Sequence, residues 1–170
     1  MILETERLMV RSWRESDVDC YMTLARDVGY NCFALPGFFL VNTVEEAKAQ
    51  IHQRMALFDE QKLGKFPVFL RGTGEFIGTC GIEPYQLDGR SEVELGYRLC
   101  LNYWGKGYAA EAARAVLRYG FEGLKLKKIL GFALPQNRPS LKVLEKLGFQ
   151  YRHDFVHAGL THRLYEFPRD

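Results

Sequence analysis

Gly105-Lys106-Gly107 is the stretch whose spacing first suggests chemistry. It stands directly before a run in which Ala109, Ala112, Ala113, Val116, Leu117 and Phe121 recur at the helical period. A strand over Glu92–Leu101 is expected just before it. Strand, glycine turn and helix together make an anion site. The first N–H groups of a helix have no internal partner, and the helix dipole puts partial positive charge there. Glycines let the backbone approach a phosphate closely and reach positive φ. Lys106 either adds a charge or points to solvent. The loop matches neither common phosphate motif: Tyr108 follows Gly107 where G-x-x-x-x-G-K-[ST] needs Ser or Thr, and G-x-G-x-x-G is not completed. On spacing alone, a tight strand-to-helix turn reads as well as a phosphate cradle.

Other reactive side chains are scattered. The four cysteines, Cys20, Cys32, Cys80 and Cys100, have no C-x-x-C spacing and lie in apolar segments, so buried free thiols are expected. Cys100 has no histidine nearby in sequence to activate it as a nucleophile. His153, His157 and His162 fall on one closing hairpin, but no carboxylate or cysteine completes a metal set, so surface histidines and no metal are expected.

The elements that must position these groups come from a chain of 170 residues, enough for one domain over 1–170 with a sizeable core. A net charge of +2, with no long basic run, argues against nucleic acid as a partner. Apolar runs are far short of a membrane span, and the acidic N-terminus is not a signal peptide. With free thiols, this points to the cytoplasm.

A first strand is expected over Arg7–Trp13, then a helix capped by Ser16 and ending near Val28-Gly29. Tyr30–Val41, with Tyr30, Phe33, Phe38 and Phe39 around Pro36-Gly37, is an aromatic loop that packs over a core edge or walls a pocket. Thr43-x-x-Glu46 is a capping box opening a helix to about Glu60. Strands over Phe66–Leu70 and Phe76–Ile82 form a hairpin, and a polar loop is expected over Gln86–Ser91. Lys127–Leu134 reads as a buried strand. Pro139 suits the first turn of a helix that Gly148 ends. Phe149–Val156 and His162–Phe167 close the chain as a hairpin.

Four motifs in this order resemble the GNAT superfamily of acetyl-CoA-dependent N-acetyltransferases, in its RimJ/RimL-like branch. They are R-L-x-x-R at Arg7–Arg11, E-L-G-Y-R-L at Glu94–Leu99, W-G-K-G-Y-A at Trp104–Ala109, and N-x-x-S-x-x-V-L-E-K-L-G-F at Asn137–Phe149. The resemblance implies an α+β fold. Its mixed, mostly antiparallel twisted sheet of six or seven strands would carry helices on both faces, with Glu92–Leu101 and Lys127–Leu134 splayed apart. The gap would take the pantetheine arm of acetyl-CoA. Its pyrophosphate would rest on the backbone from Gly105 through Lys106, Gly107 and Tyr108 to Ala109, next to Trp104. Leu99 N–H would face the thioester carbonyl, and Asn137 would bond the cofactor arm. Lys142 and Lys146 could meet phosphate charge.

Acetyl transfer to an amine requires a free lone pair, stabilisation of an oxyanion and a leaving thiolate, with no covalent enzyme intermediate. The resemblance makes Glu94 the first candidate base, with Glu92 and Glu83 as alternatives. The acid tyrosine that many members carry seven residues after the Asn is replaced by Leu144, leaving Ser140 as the nearest hydroxyl. The expected acceptor is a primary amine on a protein N-terminus or a small molecule. A homodimer is left open. The missing tyrosine also allows a non-catalytic CoA-binding sensor or scaffold.

Overall fold

In the computed structural model, residues 1–34 and 41–167 are described. They form a sheet in the order β1-β2-β3-β4-β5-β6-β8-β7. The strands are β1 (Ile2–Glu4), β2 (Leu8–Arg11), β3 (Gly64–Leu70), β4 (Phe76–Leu87), β5 (Arg90–Leu99), β6 (Leu130–Ala133), β7 (Gln150–His157) and β8 (Leu160–Glu166). The expected architecture is met with eight strands rather than six or seven. The extra strand is β1, whose three residues are too short to show a period. Every neighbouring pair is antiparallel except β5 and β6.

The helices are α1 (Val18–Arg26), α2 (Val28–Asn31), α3 (Val44–Gln61), α4 (Tyr108–Arg118) and α5 (Arg138–Leu147). One face of the sheet buries Ala112, Ala113 and Val116 of α4 and Leu141 and Leu144 of α5 against Ile77, Ile82 and Leu95. Trp13, Leu24 of α1, and Ala47 and Ile51 of α3 form a second core.

Local chemistry sets the boundaries. The Thr43 and Glu46 capping box forms as expected, and Gly148 ends α5 at φ 98°. Ser16 does not cap α1. A 3-10 turn over Glu15–Asp17 precedes that helix, and Asp17 takes the cap position. Its carboxylate makes no cap hydrogen bond to α1; it accepts from the Arg11 guanidinium at 2.7 Å through both oxygens and from Arg14 N–H at 2.8 Å. This buried bidentate pair ties β2 to the start of α1. The first helix breaks at Asp27 rather than near Val28-Gly29, because the Asp27 carboxylate caps α2 through Tyr30 N–H.

The polar loop expected over Gln86–Ser91 is only a two-residue turn. Asp88 and Gly89 both have positive φ, the geometry Asp-Gly favours in a hairpin, so β4 and β5 pair to its edge. Phe38, Phe39 and Pro36-Gly37 lie outside the described residues.

Candidate active site

The parallel pair β5–β6 has a single register match, Glu94 with Leu130. Beyond it the strands diverge, and a cavity of about 670 Å³ opens there, walled by both strands and by the starts of α4 and α5.

The backbone bordering this gap is free on the side that matters. Cys100 N–H donates to Ile77 C=O at 2.9 Å, which makes Gly78 and Leu99 a non-hydrogen-bonded pair of the β4–β5 ladder. Leu99 N–H and C=O therefore turn away from β4, toward the gap. The carbonyl accepts from Trp104 Nε1 at 2.8 Å. The N–H is left as a donor facing the cavity, where an oxyanion hole requires one. The same alternation turns the peptide groups of Tyr97 into the gap.

At the head of α4, Gly105 and Gly107 have φ of 73° and 81°, and Gly107 occupies the cap position without a side-chain cap. The first N–H groups of the helix, from Tyr108 on, accordingly keep their donors for a ligand. Gly105, Gly107, Tyr108 and Ala109 wall the cavity; Lys106 does not. Its ammonium sits 5.6 Å from the Tyr103 ring centroid, so its contribution to the loop is its carbonyl. That carbonyl accepts from Arg7 Nη1 at 3.1 Å. Arg7 also reaches Glu111 of α4 and stacks over the Tyr108 ring. The R-L-x-x-R motif is thus a brace: Arg7 holds the glycine loop and Arg11 holds Asp17.

At the opposite wall, Asn137 Oδ1 caps α5 by accepting from Ser140 N–H at 3.3 Å, which leaves its amide nitrogen to offer a ligand. Lys142 and Lys146 also wall the cavity. Ser140 Oγ lies 3.3 Å from Tyr97 Oη, and that phenol donates to Ser140 C=O at 2.7 Å. Tyr97 is the hydroxyl that sequence reasoning missed. It stands inside E-L-G-Y-R-L, two residues before Leu99, and strand alternation puts it on the same side. Burial pushes its phenol well above the ordinary range, so it stays protonated and remains a donor.

The other face of the sheet carries the charged residues. Glu94 is 9% exposed, and its Oε1 accepts from Lys65 Nζ at 2.7 Å. Lys65 also meets Glu83 at 3.2 Å, and Glu83 meets Arg54 of α3 at 3.3 Å. Two cations thus balance two carboxylates. Burial favours a neutral Lys65 and a neutral Glu83. Their partners reverse this: Glu94 and Glu83 hold the Lys65 ammonium above its ordinary range, and Lys65 and Arg54 hold the Glu83 carboxyl below its own. Glu92, the other candidate base, pairs with Lys128 at 2.6 Å and is not among the cavity walls. Tyr30 and Phe33, from the start of the aromatic loop, do wall the cavity.

Two expectations about reactive groups are corrected, for His162 and for the outlying cysteines, while Cys100 is buried as expected. His162 is not on the surface: it is 3% exposed and walls the cavity. Aromatic neighbours brought by long-range strand pairing cover it, and its local sequence gives no sign of them. Cys32 is exposed and Cys20 only half-buried, both lying outside the packed sheet. Cys100 is buried, and burial followed by the Asp27 charge pushes its thiol up to about 12, which leaves it inert.

The family described as Acetyltransferase (GNAT) domain matches residues 7–150. The uncharacterized N-acetyltransferase p20 of Bacillus licheniformis is 33% identical over 151 residues, 88% of this chain and 76% of that protein. A GNAT-family acetyltransferase structure from Bacillus anthracis superposes with a TM-score of 0.79 at 28% identity, covering 98% of this chain and 97% of that one. A RimL ribosomal L7/L12 alpha-N-protein acetyltransferase, solved in complex with coenzyme A, shares the fold with a TM-score of 0.81 at 16% identity, covering 98% and 97%.

Proposed function

The chain belongs to the GNAT acetyltransferase family, a class of acetyl-CoA-dependent N-acetyltransferases, and from that premise we propose that it moves the acetyl group of acetyl-CoA to a primary amine by direct attack, with no covalent enzyme intermediate. The observation that carries this is the single-point contact of β5 with β6, from which the two strands open beside unpaired strand N–H groups.

In this reading the pantetheine arm lies in the gap and pairs with the free peptide groups of β5. The pyrophosphate rests on the N–H groups from Gly105 to Ala109, where the glycines and the α4 dipole favour an anion. Trp104 fixes the end of β5 by holding Leu99 C=O, so that Leu99 N–H points at the thioester oxygen as charge develops on it. The Asn137 amide nitrogen bonds the arm near the sulfur. Ser140 and Tyr97 form one hydroxyl pair beside it, and the pair supplies the proton donor that Leu144 cannot. This pair favours an enzyme over a silent CoA sensor.

The acceptor enters from the face that carries Lys65, Glu83 and Glu94. Glu94 Oε1 is committed to Lys65, so Glu94 serves here to orient the amine through its other oxygen. Because Arg54 and Lys65 balance Glu83 and Glu94, an incoming ammonium meets no net negative field, and this favours its loss of a proton. The acceptor is a protein N-terminal amine, as for the RimL ribosomal L7/L12 alpha-N-protein acetyltransferase that shares the fold, or a small-molecule amine.

Isothermal titration with acetyl-CoA, followed by thiol release with a panel of peptides and small amines, tests the proposal. Binding together with thiol release that requires an amine is expected. Binding without release from any acceptor would leave only the sensor, and no binding would remove both.

A further inference from the structure

The structure assigns the acceptor's proton to His162: we propose that its Nε2 is the general base of the acetyl transfer proposed above, on which this inference rests. His162 is 3% exposed yet walls the cavity. Its Nδ1 lies 2.9 Å from Leu160 C=O. A carbonyl only accepts, so Nδ1 carries a proton and the neutral ring has its lone pair on Nε2. Among the described residues Nε2 makes no protein hydrogen bond. A buried ring held through one nitrogen, with the other bare in a cleft, is the arrangement a base needs.

Aromatic rings enclose the imidazole. Phe132 of β6 meets the ring edge-on with centroids 5.7 Å apart, and Phe155 of β7 covers it at 6.0 Å. His157 of β7 stands 5.3 Å away, and its own Nδ1 shares a 2.9 Å hydrogen bond with the Tyr85 hydroxyl of β4. Burial and His162 itself hold His157 below the ordinary imidazole range, so His157 presents no positive charge at neutral pH. The charged groups on this face are Glu94 and Arg98 of β5, Glu83 of β4, Lys65 of β3 and Arg54 of α3; Lys65 and Arg54 pair with the two carboxylates, and the Arg98 guanidinium lies 5.7 Å from the Tyr30 ring centroid. Glu94 has one oxygen taken by an ammonium, whereas His162 Nε2 has no such competitor.

The reaction then balances. Nε2 takes one proton from the acceptor ammonium. The freed nitrogen lone pair forms the C–N bond to the thioester carbon while Leu99 N–H meets the oxyanion. The C–S bond breaks with its electron pair on sulfur. The thiolate takes a proton from Tyr97, which recovers one from the new amide nitrogen. The imidazolium returns its proton to water.

The test uses His162→Asn, in which the Asn amide nitrogen can still donate to Leu160 C=O but nothing replaces Nε2. With an amine that the wild-type protein acetylates, kcat/KM is expected to fall about a hundredfold at neutral pH. The limb of the pH profile in the imidazole range should vanish, and added imidazole should restore part of the rate. Affinity for acetyl-CoA should not change. His157→Asn should keep the limb. A His162→Asn protein that retains the limb overturns the proposal and leaves acetyl transfer standing. If that variant fails to fold, 15N NMR of the wild-type histidines decides. A neutral ring protonated on Nδ1 at pH 7.5 supports the proposal; a charged ring or an Nε2–H tautomer overturns it. Acetyl-CoA binding with no amine acetylated by the wild type overturns acetyl transfer itself, and the base with it.

Discussion

Lys65 Nζ lies 2.7 Å from Glu94 Oε1 although the two residues sit on β3 and β5, with β4 between them. The side chain crosses β4 because the register row it lies over is empty: Lys65 pairs with Gly81, and Gly81 pairs with Gly96. A Cβ on Gly96 would overlap Lys65 Cε, and a Cβ on Gly81 would overlap Gly64 C=O. Two glycines thus form a trough across three strands, and the lysine stem fills it. The ammonium at its end pairs with the Glu83 and Glu94 carboxylates.

The two glycines should differ when substituted. Gly96→Ala meets only the end of a flexible side chain, so Lys65 swings aside. It is expected to cost no more than about 1 kcal/mol in urea denaturation, near the low end for overpacking. Gly81→Ala meets backbone and forces β3 away from β4, which should cost about 3 kcal/mol or more. Equal midpoint shifts for the two variants would contradict the trough.

Lys65→Met removes the link between Glu83 and Glu94 and leaves the half-buried Glu83 and the buried Glu94 without their shared cation. A loss of about 3 kcal/mol is expected at pH 7. The pH dependence has a definite sign. The Glu83 carboxyl is lowered from its ordinary 4.5 in the folded protein, so its contribution is full above that value and is lost as pH falls through the folded one. Lys65 is raised from 10.5, so its contribution is full below that value and lost only as pH rises beyond it. Wild-type stability should therefore hold between roughly pH 5 and pH 10 as far as this pair is concerned and fall on the acid side. In Lys65→Met the acid fall should be shallower, because Glu83 keeps only Arg54. Thermal melts across pH read both effects.

Much of this site could be read from local sequence, because its parts obey local rules. Gly107 before an apolar period marks α4, Asn137 with Pro139 opens α5, and Asp88-Gly89 turns β4 into β5. What escaped was non-local. Glu83 and Lys65 are far apart in sequence, and only strand register brings them together. His162 looks like a hairpin surface residue until Phe132 and Phe155 are laid against it. Ser16 and Asp17 satisfy the rules for a cap equally, and the pairing of Asp17 with Arg11 decides the geometry there. Lys106 carries a charge beside a phosphate loop, yet the nearby Tyr103 ring takes it.

Arg7 predicts a separation of binding from chemistry. It touches Lys106 C=O, Glu111 and the Tyr108 ring, all on the outer side of the glycine loop. Arg7→Met should loosen the loop without changing Leu99 or Tyr97. Loss of one charge-assisted hydrogen bond, about 1.5 kcal/mol, corresponds to about a tenfold weaker Kd for acetyl-CoA. With kcat retained and KM for acetyl-CoA raised, the loop's role is uniform binding. A fall in kcat at unchanged KM would place Arg7 elsewhere in the reaction.

Tyr97 and Ser140 predict opposite outcomes for two hydroxyls 3.3 Å apart. The phenol donates to Ser140 C=O at 2.7 Å, and the serine hydroxyl donates back to the phenol oxygen, so the serine proton is engaged by Tyr97. Tyr97→Phe removes the donor and leaves the ring in place. It should lower kcat about ten- to a hundredfold, within the range for a positioned acid, with little change in Kd for acetyl-CoA. Ser140→Ala should cost less than threefold by comparison, since α5 keeps its Asn137 cap. Because burial holds the phenol protonated, the wild-type rate should show no alkaline fall from Tyr97 below pH 10. An acceptor of low basicity makes the contrast sharpest, because breakdown to the thiolate then limits the rate. Should Ser140→Ala lose activity while Tyr97→Phe keeps it, the serine is the donor and the phenol only packs beneath the cofactor arm.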